Sequence, residues 1–139
     1  MLDPMQQVFL EERSEKRNGI FITFAGNCKK ALRFYRSCFG GVLHFEMLDK
    51  AIEGYSEIPV ISGRLISDRL VIYGSDLVQE GGRKIGNHMA VFLSCQDAMD
   101  RRHLVQKLTF PNEQDAKIDD QDRLVEIRDS FDVNWILGI

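Results

Sequence analysis

Residues 24–41, FAGNCKKALRFYRSCFGG, decide the fold. They read as a strand end, a helix cap, one amphipathic helix and a glycine stop. Asn27 is the expected N-cap, because its side-chain oxygen can accept from the orphan N–H groups of a first helical turn. Cys28, Ala31, Leu32, Tyr35 and Phe39 then recur at i, i+3, i+4, i+7 and i+11, which is one helical face. Lys29, Lys30, Arg33 and Arg36 occupy the other face. Gly40 and Gly41 follow where a left-handed C-cap costs least in a residue without Cβ.

Outward from this helix the pattern is regular. Strands are expected at 20–24, 42–48, 60–67 and 69–73, the last two joined tightly at Ser67-Asp68. Residues 75–86 carry Gly81-Gly82 and read as an exposed connector. The order then recurs: a strand at 88–93, a helix to about 108, a poorer strand near 116–118, and strands at 124–128 and 133–137. Ser94, with Asp97 three residues on, reads as the second helix's capping box, and Ala98, Leu104, Val105 and Leu108 as its packed face. DRLVIYG at 68–74 precedes DVNWILG at 132–138 by 64 positions, with Asp, Ile and Gly coinciding. A duplicated strand-helix-three-strand unit explains this better than chance matching of short segments.

The bulk numbers bound the function. A chain of 139 residues with 44% hydrophobic content suits one domain, or two small halves sharing a core. Net charge is −3, so no basic surplus favours nucleic acid. No apolar run approaches the ~20 residues of a membrane span, and no basic-then-apolar leader is visible. Cys28, Cys38 and Cys95 have neither C-x-x-C nor zinc-ligand spacing. Buried free thiols in a reducing, cytoplasmic setting are the expectation. Residues 1–18, with a dense charge run at 11–17, read as an N-terminal arm ahead of a single domain at 19–139, whose modules span about 19–78 and 86–139.

With the helix motif GNCKKALRFYRSCFGG, VIYGSDL at 71–77, GNHMAVFLSC at 86–95 and DSFDVNWIL at 129–137, the chain resembles the vicinal oxygen chelate superfamily of glyoxalases, bleomycin-resistance proteins and dioxygenases. The first helix resembles its PhnB-like branch. The resemblance implies an α+β fold: two βαβββ modules forming a cupped mixed sheet, with helices on the outer face. It also implies a homodimer. In metal-using relatives four strands each send one ligand into the cup, because His and carboxylate donors must converge and leave positions open for substrate oxygens.

Carried over by residue, those four positions are Ile20, Ile72, His88 and Ile136. Isoleucine has no lone pair to donate, so the expectation is a metal-free protein with no cofactor and no assigned catalytic residue. The third-strand histidine of PhnB-like relatives is matched near Ser62, and a usual turn glycine by Asp132, which tolerates left-handed geometry. Some relatives are described as demethylubiquinone methyltransferases, but no glycine-rich methyl-donor turn is present here.

The expected activity is binding of a small, partly apolar molecule in a cup lined by Ile20, Ile22, Phe24, Ile72, His88, Ala90, Phe92 and Ile136. One alternative is a lyase or isomerase using His88 as a base or an atypical metal set. Another is a structural homodimer whose cup is filled by side chains. His88 itself reads either as a polar anchor in the cup or as a solvated strand-end residue. His44 and His103 read as surface residues. Arg64 with Glu126 reads as a pocket pair or as two solvent-facing strand positions, and Asp76 as a turn acceptor. Trp135, opposite in parity to Ile136, is expected under a helix.

Overall fold

The computed structural model describes residues 18–77, 85–86, 88–111 and 118–139. Seven strands and two helices follow in the order β1 (Ile20–Thr23), α1 (Cys28–Phe39), β2 (Val42–Met47), β3 (Val60–Ile66), β4 (Val71–Ser75), β5 (Val91–Ser94), α2 (Ala98–Thr109), β6 (Leu124–Arg128) and β7 (Asn134–Gly138). They build two small mixed sheets, ordered β1-β4-β3-β2 and β5-β7-β6. In each sheet one pair is parallel, β1 with β4 and β5 with β7, and the remaining pairs are antiparallel. The expected α+β class is therefore the observed one. Of the strand expected near 116–118, only Ile118 lies within the described residues, and it is not in a strand. The arm expected at 1–18 falls almost wholly outside them.

The two halves share one apolar core. Cys28, Ala31, Leu32 and Tyr35 of α1 are fully buried. Tyr35 and Phe39 pack on Trp135 of β7, with ring centroids 5.6 and 5.5 Å away. Trp135 thus lies under a helix, as its parity required. Phe34 and Tyr35 also meet Phe131 of the β6–β7 turn, at 5.5 and 5.9 Å. Burial of large side chains of this kind is worth about 1.5–3 kcal/mol each, so α1 welds the first sheet to the second.

Two buried carboxylates hold the turns around α1. Asp129 accepts from Tyr35 Oη at 2.6 Å and Trp135 Nε1 at 2.8 Å on one oxygen. Its other oxygen accepts from the backbone N–H of Phe131 at 2.8 Å and Val133 at 3.1 Å. Inside this turn Asp132 has φ +66, the left-handed geometry expected at the place of a glycine. Asp76, after β4, accepts from Gly26 N at 2.8 Å, Cys28 N at 3.1 Å and Val60 N at 2.9 Å. Asp76, not Asn27, therefore satisfies the start of α1: Asn27 makes no side-chain cap bond and its Oδ1 is buried without a partner among the described residues. The second helix is capped by Asp97, which accepts from Asp100 N at 2.7 Å, rather than by Ser94.

Glycine ends α1 as expected. The Gly40 N–H donates to Arg36 O at 2.7 Å, and Gly41 has φ +107. A Cβ on Gly41 would stand 2.3 Å from Ile66 O, so only glycine lets β2 return this closely beside β3. On α2 the fully buried Arg101 donates to the backbone carbonyls of Asp122 at 2.6 Å, Asp119 at 3.3 Å and Asp120 at 3.4 Å. Its charge is thereby matched to three carbonyl dipoles, which fixes the loop into β6.

The three thiols are free and buried. Burial, with a smaller contribution from the Asp76 charge, pushes the Cys28 thiol up to about 12. Burial likewise pushes Cys38 up to about 11. Neither forms much thiolate near neutral pH, so both are packing groups rather than nucleophiles.

Candidate functional site

The faces of the two sheets decide which side chains can meet a ligand. Leu43, Phe45 and Met47 of β2 pack on the core, so Val42, His44 and Glu46 point to the other side. In β4 a Cβ on Gly74 would stand 3.0 Å from Cys28 Sγ and 3.0 Å from the Phe24 ring. Gly74 and Ile72 therefore face α1. Ile20 and Ile22 pair with them across β1 and share that side.

The expected cup is thus not one lining. Ile72 and Phe24 are 0% and 1% exposed and belong to the core, and Ile22 packs against it. These residues and Ile20 face the helix, not away from it. On the second sheet Trp135, Leu137 and Leu93 face the core. Phe92 and Ile136, which pair directly, lie on the opposite, helix-free side.

The two sheets match each other with a one-residue offset from the sequence repeat. Phe24 N donates to Ser75 O at 2.8 Å, and Cys95 N donates to Gly138 O at 2.8 Å. These matching bonds equate Ser75 with Gly138, 63 positions apart, and so Ile72 with Trp135. The 64-position match of the sequence equates Ile72 with Ile136 instead. In a period-two element a slip of one residue exchanges the faces.

The helix-free face of the second sheet is open and mixed: Phe92, Leu124 and Ile136 share it with Glu126, Arg128 and Asn134. Phe92 is 60% exposed and Leu124 61%. The Phe92 ring lies across Gly138, where a Cβ would stand 2.9 Å from Cζ and 3.4 Å from Leu124 Cδ2. Ile136 is half-buried beside them, and Glu126 pairs with it from β6. His88 and Ala90 are exposed on the segment leading into β5, with His88 just ahead of the strand rather than in it. Asn134 Nδ2 ties that segment down by donating to Met89 O at 3.3 Å and Gly86 O at 3.5 Å. Of the eight expected lining residues, Phe92 and Ile136 share this face, while His88 and Ala90 are exposed ahead of β5.

The helix-free face of the first sheet is also partly apolar. Phe21 is 56% exposed and Val42 58%. Arg64, buried at 7%, lies on this sheet, whereas Glu126 is exposed on the other. His44 and His103 are exposed, as read from the sequence. Among the described residues no group of three or more His, Cys, Asp or Glu side chains could hold a metal ion. No described helix is long and apolar enough to cross a membrane.

No protein-family model matches the chain, and no curated protein matches it. Solved structures do. A putative 3-demethylubiquinone-9 3-methyltransferase, PhnB protein, from Bacillus cereus aligns with a TM-score of 0.68 at 18% identity, over 88% of this chain and 98% of its own. Protein PA1353 from Pseudomonas aeruginosa aligns with a TM-score of 0.61 at 16% identity, over 88% and 96%. A gene product from Arabidopsis thaliana aligns at 0.50, with 16% identity over 89% and 98%. The chain has a PhnB-like, glyoxalase-like fold.

Proposed function

We propose that this chain is a small-molecule-binding protein that works as a homodimer, with the ligand held between helix-free sheet faces. The observation that carries this reading is the apolar cluster of Phe92, Leu124 and Ile136 on the open face. An exposed cluster of large apolar side chains is usually an interaction site, and His88 is exposed on the segment leading into the same sheet. The first sheet exposes Phe21 and Val42 on its helix-free side, at its two opposite edge strands. Two copies give these surfaces something to cover, and leave a site apolar in its walls with few polar groups to orient a ligand.

The reading is metal-free because, of the positions carried over from metal-using relatives, Ile136 on the helix-free face has no lone pair to donate, and Ile20 and Ile72 face α1. It assigns no methyl transfer, since the sequence carries no methyl-donor turn. A reducing, cytoplasmic setting fits the three free thiols.

Sedimentation velocity tests the dimer. The wild-type chain is expected to sediment as a dimer, and a Phe92→Asp, Leu124→Asp variant as a folded monomer, weakened by roughly 100-fold or more in association. Both side chains are exposed in the single chain, so the variant should keep its far-ultraviolet spectrum and unfolding midpoint. A wild-type monomer, or an undiminished dimer in the variant, would sink the proposal.

A further inference from the structure

A groove on the opposite side of the first module has the size and lining of a second site. Its volume is about 590 Å³, and it is lined by Lys29, Lys30 and Arg33 of α1, Met47 at the end of β2, and Glu57 and Ile58 ahead of β3. That volume lies inside the range of small-molecule sites, roughly 300–1,000 Å³. We infer that this groove binds a small organic anion with a short apolar body, its charge against the α1 cations and its body against Met47 and Ile58.

Three observations carry the inference. The first is the charge balance: three cations face one carboxylate in the groove, on a chain whose net charge is −3. The second is placement against local preference. Lys29 and Lys30 stand in the first turn of α1, which holds no acidic residue. The positive end of the helix dipole, answered in part by the Asp76 carboxylate, disfavours cations there by at most a few tenths of a kcal/mol each, on the order of 0.3. Residues that break a local rule are where function is to be sought.

The third observation is how the cations are presented. Lys29 Nζ sits 6.0 Å over the Phe45 ring, which leans its stem along the wall. Lys30 and Arg33 are exposed. The N–H groups of Gly26 and Cys28 are already taken by Asp76, so the positive character of this wall comes from the side chains, not the helix end. Ile58, 43% exposed, gives the apolar contact, and Glu57 on the facing wall suits a hydroxyl or ammonium donor of the ligand.

Nuclear magnetic resonance titration with phenyl phosphate tests this, with phenol and inorganic phosphate as the separated halves. Phenyl phosphate is expected to move the Met47 and Ile58 methyl resonances saturably and to bind more tightly than either half. A Lys30→Ala, Arg33→Ala variant should weaken it by about tenfold or more while keeping the wild-type unfolding midpoint, because both side chains are exposed. Binding should also weaken as salt is raised. No saturable shift at Met47 and Ile58, or an affinity unchanged in the double variant, would overturn the inference. The Phe92→Asp, Leu124→Asp variant should bind phenyl phosphate normally, which separates this site from the open face of the second sheet.

Discussion

Replacing Asp129 by alanine should cost about 3–5 kcal/mol of unfolding free energy, much of what a domain of this size possesses. Four donors converge on this one carboxylate: Tyr35 Oη, Trp135 Nε1 and two backbone N–H groups. The residue is 5% exposed, so water cannot replace it without opening the turn. The variant would strand donors from α1 and β7 together, and these elements join the two halves. Trp135 is the sole tryptophan and fully buried, so its emission reports the change directly. Urea unfolding followed by Trp135 fluorescence should show a lowered midpoint, and the native emission should shift to the red. Asp129→Asn should be milder, because its oxygen can still accept while its amide opposes a donor. A midpoint for Asp129→Ala near wild type would show that the four bonds contribute little.

The second large effect is expected at Asp76, and it is sharpest in comparison with Asn27. Asp76→Ala leaves the N–H groups of Gly26, Cys28 and Val60 without their acceptor, at about 1–3 kcal/mol for each that stays buried. Partial relaxation brings the expected total to about 3 kcal/mol. Asn27→Ala removes no cap bond and should stay within about 0.5 kcal/mol. Hydrogen exchange should quicken at the start of α1 in the first variant and not in the second. The reverse ranking would restore Asn27 as the cap.

These two residues also mark how far the sequence is legible. The stripe of α1, the Gly40-Gly41 stop and the left-handed Asp132 are local, and all are where the residues place them. The cap is not local: Asp76 lies 48 positions from Cys28, and nothing in a helix-start motif points to a carboxylate beyond the fourth strand. The face error is of another kind. DRLVIYG and DVNWILG align best at 64 positions by residue type, but the backbone bonds of Phe24 and Cys95 align them at 63. The family's ligand positions place Ile20, Ile22, Phe24 and Ile72 in the expected cup, and in a period-two element one residue of register is enough to put them on the helix side. Gly74 carried the missing signal, because a glycine inside a buried strand marks close approach, here of Phe24 and Cys28. The basic groove was equally readable in principle, from two lysines in a first helical turn without an acid.

The account turns on the open face of the second sheet. The most direct measurement is a small-molecule fragment screen on the protein, read by resonance shifts of Ala90, Phe92, Ile136 and the His88 imidazole. The account predicts that apolar fragments move these four groups together, and that Phe92→Asp, Leu124→Asp abolishes the shifts. Fragments that bind yet leave all four unmoved would contradict it.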